Sequence, residues 1–284
     1  MITLLLPLFL LNAFTFAFVC FWPVSVLERL APGQRTKAAM RRAMQSIALG
    51  WAAMNARLFG LGGFRVDATT TPGLELRPDR RYLLLPNHQS WSDIFVLQTF
   101  FGRRTPLLTF FLKRQLRWVP VFGHAWKSLG FPFMERHSAA AIARDPSLRI
   151  HDFETTRRFC DRIRGAPFAV VNFVEGTRRT HRKAERSPYR HLLAPKAGGI
   201  AVAMQALEGS WDEVLDVTIR YPSERSRFLD LLMGRVGHVR LDVRRVPPEE
   251  IPSGDYVNDP AFAERFRSWL NELWRRKDAR FEAV

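Results

Sequence analysis

Short apolar runs of strand length alternate with longer stretches of helical periodicity along most of this chain. The runs predict strands at 64–67, 82–85, 106–111, 168–173, 214–219 and 238–246. The helical stretches predict helices at 92–101, 138–145, 152–164, 197–208 and 260–277. Because strands and helices alternate, the pattern predicts an α/β domain with a mixed sheet flanked by helices.

The N-terminal stretch is uniformly apolar and carries no charged residue before position 28. The run from Leu4 to Trp22 is long enough to cross the hydrocarbon core of a bilayer, which takes about 20 helical residues. A signal peptide fits less well, because no basic segment precedes the run and no small-x-small cleavage site follows it. A buried core helix would need protein on all sides. We predict a membrane segment, and its prolines leave open whether it spans the bilayer or re-enters.

Basic residues follow the membrane segment closely, and positive charge in such a position is usually cytoplasmic. They are Arg29, Arg35, Lys37, Arg41 and Arg42. We therefore expect the inner (cytoplasmic) membrane, with the rest of the chain facing the cytoplasm. The net charge of +16 favours polyanionic partners such as anionic membrane lipids or nucleic acid. The two cysteines form no disulfide framework and no metal motif.

Two further helices are predicted to be amphipathic. The first, at 44–61, places Ile47, Trp51, Met54 and Leu58 on one face, which fits the lipid interface and docking on the domain equally well. Glycines end this helix, so the predicted division is 1–63 for the membrane segment with its helix, and 64–284 for the catalytic domain. In the last helix, we expect the apolar side to pack on the core. That side comprises Phe262, Phe266, Trp269, Leu270, Leu273 and Trp274.

An imidazole and a carboxylate stand five residues apart just after the second predicted strand, at His88 and Asp93. One continuous helix would separate them by about 140°, so they meet only if His88 lies on a loop and Asp93 in the first helical turn. Asn87, Ser90 and Ser92 fit such a junction as helix caps. Asp93 would then bind one ring nitrogen and leave the other free to take a proton from a hydroxyl. Taken alone, the spacing also fits a surface histidine beside a capping aspartate.

A second corner, Glu175-Gly176-Thr177-Arg178, follows the strand at 168–173. Gly176 allows a sharp turn and the close approach of a ligand to the backbone. Arg178 is a planar, permanently charged donor that suits phosphate. Glu175 would orient that arginine or hold a substrate hydroxyl. Taken alone, these residues also fit a surface turn with an ion pair.

The two motifs together, in this order, resemble the glycerolipid acyltransferases, the family of 1-acylglycerol-3-phosphate acyltransferase. Asn87-His88 to Asp93 and Glu175 to Arg178 match two of its motifs. Residues 112–116 and 119–123 resemble its lysine segment, 133–136 its arginine segment, and 195–199 the segment before its final motif. Val174 stands where the family usually has proline, and 214–219 lacks the proline of the final motif.

The resemblance implies an O-acyltransferase in which His88, oriented by Asp93, deprotonates the free hydroxyl of a lysophospholipid. The oxygen then attacks the thioester of acyl-CoA or acyl carrier protein, the co-substrate. No cofactor and no metal are implied. Lysophosphatidate is the default acceptor, and another lysophospholipid or a lysocardiolipin-like molecule is the open alternative.

The resemblance also assigns a set of substrate-binding residues. Arg178 would hold the acceptor phosphate, supported by Lys113 and Arg136. The remaining binding residues are Glu175, Gly176 and Thr177.

Other classes of protein match fewer features. A serine hydrolase needs a Gly-x-Ser-x-Gly elbow, and the chain has none. A zinc enzyme needs closely paired ligands, and neither His-Glu-x-x-His nor Cys-x-x-Cys occurs. A membrane-anchored basic protein that binds anionic lipid or nucleic acid is the non-enzymatic alternative, supported by charge alone. For the enzyme we expect no nucleic-acid partner.

Overall fold

The structure is a computed structural model that describes residues 2–120, 122–135, 144–145, 147–223 and 226–284. The helices are α1 (Ile2–Phe14), α2 (Trp22–Leu30), α3 (Gly33–Leu61), α4 (Asp93–Phe101), α5 (Phe122–Ser128), α6 (Ser147–Ile163), α7 (His181–Ala184), α8 (Ala197–Ala206), α9 (Phe228–Leu232) and α10 (Pro260–Arg280). A π-helical segment, Thr15–Phe21, joins α1 to α2, and 3-10 segments lie at Arg114–Trp118, Pro248–Glu250 and Phe281–Ala283.

Six strands form one mixed sheet in the order β1-β8-β7-β2-β6-β3. All neighbouring pairs are parallel except β7 with β8. This confirms the predicted class, and each strand lies within a few residues of its apolar run. The strands are β1 (Arg65–Thr70), β2 (Tyr82–Pro86), β3 (Leu108–Phe110), β6 (Ala169–Val171), β7 (Glu213–Arg220) and β8 (His238–Arg245), while β4 (Leu112–Lys113) and β5 (Phe133–Met134) form a separate pair.

The central strands β2, β6 and β7 are buried on both faces, because successive side chains of a strand point to opposite sides and helices cover the sheet on each side. Leu84 in β2 packs in a cluster with Val96 of α4, while Leu85 packs on the other face with Ile200 of α8 and Trp274 of α10. Strands buried in this way read as continuous apolar runs, which is why the sequence pattern locates them. The predicted helix at 138–145 falls largely outside the described residues.

Residues Leu5–Leu30 form one helical stretch that is long and apolar enough to cross a membrane, and 28% of its most apolar window is buried against the protein. Its inner side chains, Phe9, Phe16 and Phe21, pack on α3 and its neighbours. Its outer apolar side chains are exposed and include Leu10, Leu11, Phe14, Phe18 and Val19. This exposed apolar surface indicates association with a membrane.

Helix α3 docks on the protein with a face displaced from the predicted one. Ile47 and Trp51 of the expected stripe are half-buried and pack on the core, but Met54 is exposed. The fully buried stripe is Met44, Ala48, Ala52, Asn55 and Phe59. Phe59 stacks on Phe9 of α1 with ring centroids 5.8 Å apart, and Asn55 Oδ1 accepts from Asn12 Nδ2 at 2.8 Å. The predicted face of α3 is rotated from the observed one because alanines let helices approach closely but contribute little to an apolar pattern.

Helix α10 packs on the core as predicted. Phe262, Phe266, Leu270, Leu273 and Trp274 are buried, and Trp269 is half-buried. One residue on the buried side was not expected there, since Lys277 is also completely buried.

Candidate active site

The first motif lies at the carboxyl end of the central strand β2. The strand stops at Pro86, residues 87–92 form a loop, and Asp93 is the first residue of α4. His88 therefore lies on the loop and Asp93 in the first helical turn. His88 Nδ1 lies 2.8 Å from Asp93 Oδ2. The side chain of His88 remains 15% exposed, while that of Asp93 is fully buried.

The Asp93 carboxylate is surrounded by donors that fix its position. Its Oδ2 accepts from the backbone N–H of Gln89 at 2.7 Å and of Ser90 at 2.9 Å, besides the histidine ring. Its Oδ1 accepts from the Tyr221 hydroxyl at 2.6 Å. Burial and the neighbouring carboxylate raise the pKa of Tyr221 well above its ordinary value, so this phenol remains a donor. Because Asp93 can only accept, it assigns the proton of neutral His88 to Nδ1 and leaves Nε2 as the free base.

Ser92 occupies the N-cap position of α4 as expected, but its side chain forms no capping bond, and Asn87 is not a cap. Asn87 instead ties the ends of two strands together, because its amide bonds both the N–H and the C=O of Ile219, at 2.7 and 3.0 Å. The buried Ser92 hydroxyl has no hydrogen-bond partner among the described residues. Ser90 does receive a bond from Ser92 N at 3.2 Å. The Asp93 side chain binds the backbone N–H groups of Gln89 and Ser90, which lie in the loop before the helix.

Glu175 is buried behind the histidine rather than paired with Arg178. Its Oε2 accepts from His88 N at 3.2 Å and its Oε1 from Leu193 N at 3.3 Å. Burial raises the pKa of Glu175 to about 8, and the two backbone bonds and the charge of Lys277 oppose that rise. The structure therefore contradicts the expectation that Glu175 orients Arg178. The carboxyl group joins the histidine loop to the chain at Leu193.

The second motif forms a tight turn directly against the first. Gly176 has φ +67°, a left-handed conformation that glycine adopts without strain, and its N–H bonds Phe173 O at 2.8 Å. Arg179 N bonds His88 O at 2.8 Å, and the Phe173 ring stacks on the imidazole at 4.0 Å. The two motifs follow neighbouring parallel strands, β2 and β6, at the edge of the sheet where such folds bind ligands.

Arg178 presents its guanidinium at the mouth of this site. Its side chain is exposed and lies over the ring of Trp91, 4.9 Å from the ring centroid. It forms no ion pair with any residue that the structure describes. Thr177 Oγ1 accepts from Lys183 Nζ at 2.5 Å. The arginine is therefore held by an aromatic ring and remains available to an anion.

A cavity of about 1020 Å³ opens beside the turn, lined by Gly176 and Phe173. Lys113, at the end of β4, lines its far wall, so the structure brings this predicted residue to the same cavity without direct contact with the motifs. Lys196 and Arg267 add positive charge to the described wall. Arg136 lies outside the described residues. The apolar part of the wall includes Phe111, Met134, Phe153 and Leu270.

Two site residues, Tyr221 and Trp91, were not predicted. Tyr221 directly follows the strand now seen as β7, which neighbours β2, so its place after a strand end was a usable signal. Trp91 lies inside the His88–Asp93 motif, but nothing in the sequence linked it to Arg178. No cluster of three or more His, Cys, Asp or Glu side chains within the described residues is arranged to hold a metal ion.

A His–Asp pair at the carboxyl edge of a mixed sheet, next to an exposed guanidinium, is an arrangement that suits group transfer. The model of the family described as Acyltransferase matches residues 69–222, which is more than half of the chain. The protein belongs to the acyltransferase family, as the motifs predicted.

Two curated relatives are similar to this chain over more than half of its length. Human 1-acyl-sn-glycerol-3-phosphate acyltransferase delta is 27% identical over 180 residues, covering 59% of this chain and 43% of that protein. Mouse 1-acyl-sn-glycerol-3-phosphate acyltransferase gamma is 30% identical over 178 residues, with the same shares covered. The chain thus matches less than half the length of each relative.

A solved structure shares the fold. The crystal structure of the 1-acyl-sn-glycerophosphate (LPA) acyltransferase PlsC from Thermotoga maritima superposes with a TM-score of 0.57 at 18% identity. The match covers 99% of this chain and 96% of that one. The likeness therefore includes the N-terminal apolar helix as well as the sheet.

Proposed function

We propose that the protein transfers a fatty acyl chain from an acyl thioester to the free hydroxyl of a lysophospholipid. The acceptor is 1-acylglycerol-3-phosphate and the product is phosphatidic acid. The observation that carries this proposal is the His88–Asp93 pair, 2.8 Å apart, beside the unpaired guanidinium of Arg178. The similarity to 1-acyl-sn-glycerol-3-phosphate acyltransferases delta and gamma supports the same acceptor.

The histidine acts as the general base. His88 Nε2 takes the proton of the acceptor hydroxyl as its oxygen attacks the thioester carbonyl. The resulting imidazolium is stabilised by the Asp93 carboxylate, which three further donors hold in place. The tetrahedral intermediate then breaks its carbon–sulfur bond. The proton on Nε2 passes to the departing sulfur, which releases the free thiol and returns His88 to its neutral form.

The acceptor phosphate binds Arg178, since a guanidinium matches phosphate oxygens and stacking on Trp91 fixes its orientation. The adjoining cavity holds the remaining parts of the substrates. Lys113 supplies charge there, and the apolar wall suits a hydrocarbon chain. Both acyl-CoA and acyl carrier protein are anionic, so the net charge of +16 suits either donor.

Arg178→Ala is expected to raise the KM for the lysophospholipid by about 10- to 100-fold, the loss of one or two charge-assisted hydrogen bonds. The KM for the acyl donor should change little, because the partner of Arg178 is the acceptor phosphate. Initial rates measured against each substrate in turn check this. Arg179→Ala is the matched control, since it removes a neighbouring exposed cation and keeps the backbone N–H that bonds His88. A change confined to the donor KM would overturn the assignment.

We further propose that the N-terminal helix anchors the protein to the inner membrane, with the catalytic domain on the cytoplasmic side. Removing residues 1–27 would uncover the buried partners of Phe9 and Phe16, so substitutions of outward residues are a cleaner test. The triple variant Leu11→Ser, Phe14→Ser, Phe18→Ser is expected to move most of the protein to the soluble fraction.

Fractionation of cells, with carbonate extraction of the membranes, checks this expectation. The control triple variant changes exposed apolar residues of the catalytic domain, Ile150→Ser, Leu229→Ser and Val257→Ser. If both triple variants stay on the membrane equally, the helix is not the anchor.

A further inference from the structure

A lysine from the last helix is buried at the centre of the sheet, close to the active-site loop. The Lys277 side chain has no solvent exposure. Its Nζ donates to the backbone carbonyls of Leu85 at 2.6 Å and Val217 at 2.9 Å. It also pairs with the Asp216 carboxylate at 2.7 Å and lies 3.9 Å from the centre of the Trp274 ring. The ammonium group therefore has two hydrogen bonds to the backbone and one ion pair.

The two carbonyls belong to the strands that carry the catalytic groups. Leu85 is in β2, three positions before His88, and Val217 is in β7, four positions before Tyr221. Pro86 follows Leu85 and has no backbone N–H to extend the ladder. Beyond Pro86, side chains connect the ends of β2 and β7. Lys277 bonds the carbonyls of Leu85 and Val217, and Asn87 bonds the backbone of Ile219.

Stability alone is a poor explanation for a buried cation in this place. Removing an ammonium from water is costly, and well-packed apolar residues of similar volume often replace a buried ion pair at no loss of stability. The surrounding cluster of Leu85, Trp274 and Phe281 would accept an apolar side chain. The positive charge of Lys277 also opposes the rise in the pKa of Glu175. The carboxyl group of Glu175 in turn accepts a hydrogen bond from the backbone N–H of His88.

We propose that Lys277 is a positioning residue for acyl transfer, which fixes the ends of β2 and β7 and thereby the placement of His88 against Tyr221 and Asp93. The proposal rests on the proposed function. Lys277 lies outside residues 69–222, so the last helix completes the site that the family model covers.

Lys277→Met keeps the length of the side chain and removes the donors. We expect kcat to fall about 10- to 100-fold, the effect of a misplacement of about 1 Å, while the KM for each substrate stays near its wild-type value. Arg280→Met is the matched control, because Arg280 binds the other oxygen of Asp216 at 2.8 Å from the same helix but does not reach the strand carbonyls. Its kcat should remain near that of the wild type.

The double variant Lys277→Met, Asp216→Asn separates positioning from folding. Lys277→Met alone removes one of the cations that pair with the buried Asp216 carboxylate and leaves Arg280. The melting temperature of this variant should therefore fall. The double variant also removes the carboxylate charge, so the melting temperature should recover while kcat per folded enzyme stays low. Recovery of kcat together with the melting temperature in the double variant would overturn the positioning role. A wild-type kcat in either variant, or a change in KM without a change in kcat, would overturn it as well. A wild-type enzyme without acyl transfer would instead contradict the proposed function.

Discussion

His88→Ala is expected to lower kcat by about 10²- to 10⁴-fold, the usual contribution of a positioned general base. The variant loses the Nε2 atom that takes the hydroxyl proton, and no other described side chain at this edge of the sheet is placed to replace it. The imidazole is partly exposed and lies on a loop, so its removal should leave the fold and membrane association intact. Acyl transfer by detergent-solubilised, folded enzyme checks the result.

His238→Ala provides a matched control on the same protein. His238 also contacts an aspartate, Asp67 Oδ2 at 3.0 Å, but the pair is exposed on strands β8 and β1. Its loss should leave kcat unchanged. Wild-type turnover by His88→Ala would remove the imidazole from the mechanism, whatever the control showed.

Asp93→Asn is expected to cause a loss of similar size, about 10³-fold in kcat, because the neutral amide no longer stabilises the imidazolium that forms during attack. The substitution keeps the volume of the side chain, so the loop around Gln89 and Ser90 should stay in place. The KM for each substrate should change little. Steady-state kinetics on both substrates, with a melting curve to confirm folding, checks these expectations.

Tyr221→Phe gives the graded comparison for Asp93. This variant removes one donor to Asp93 Oδ1 and leaves both the charge and the contact with His88. The loss of one net hydrogen bond, about 1 kcal/mol, predicts a fall in kcat of about fivefold. If Asp93→Asn were no more damaging than Tyr221→Phe, the carboxylate charge would have no special part in turnover.

The central strands β2 and β6 were predictable because they are buried on both faces and are therefore almost purely apolar, and β8 because apolar and polar residues alternate along it. The hydrophobic pattern was less informative for α3, where the buried stripe includes the small residues Ala48 and Ala52 beside Met44 and Phe59. A hydrophobic pattern weights Met54 and Leu58 above alanine. Close helix packing depends instead on small side chains, so the face could not be assigned from the sequence.

The candidate site divides in the same way. His88 and Asp93 are five residues apart, so the local geometry of a loop and a first helical turn predicted their contact. Tyr221 reaches Asp93 across 128 residues of chain, and Lys277 reaches Leu85 across 192. Contacts of that kind depend on the order of strands in the sheet and on where the last helix docks. No spacing in the sequence encodes either of these.

Glu175 shows a further limit of sequence reasoning. Its neighbour Arg178 suggested an ion pair, yet the turn at Gly176 sends the carboxyl group inward and the guanidinium outward. Two charged residues three positions apart on one tight turn therefore point in opposite directions, one into the protein and one towards solvent.

The most direct test is acyl transfer by membranes that contain the wild-type protein or His88→Ala. A panel of lysophospholipids serves as acceptors, with labelled acyl-CoA and labelled acyl carrier protein as donors. We expect transfer to lysophosphatidate from at least one donor, and its loss in the variant. Transfer to a different lysophospholipid would keep the mechanism and replace the acceptor. Transfer to none of them from either donor, or equal transfer by His88→Ala, would contradict the proposed function.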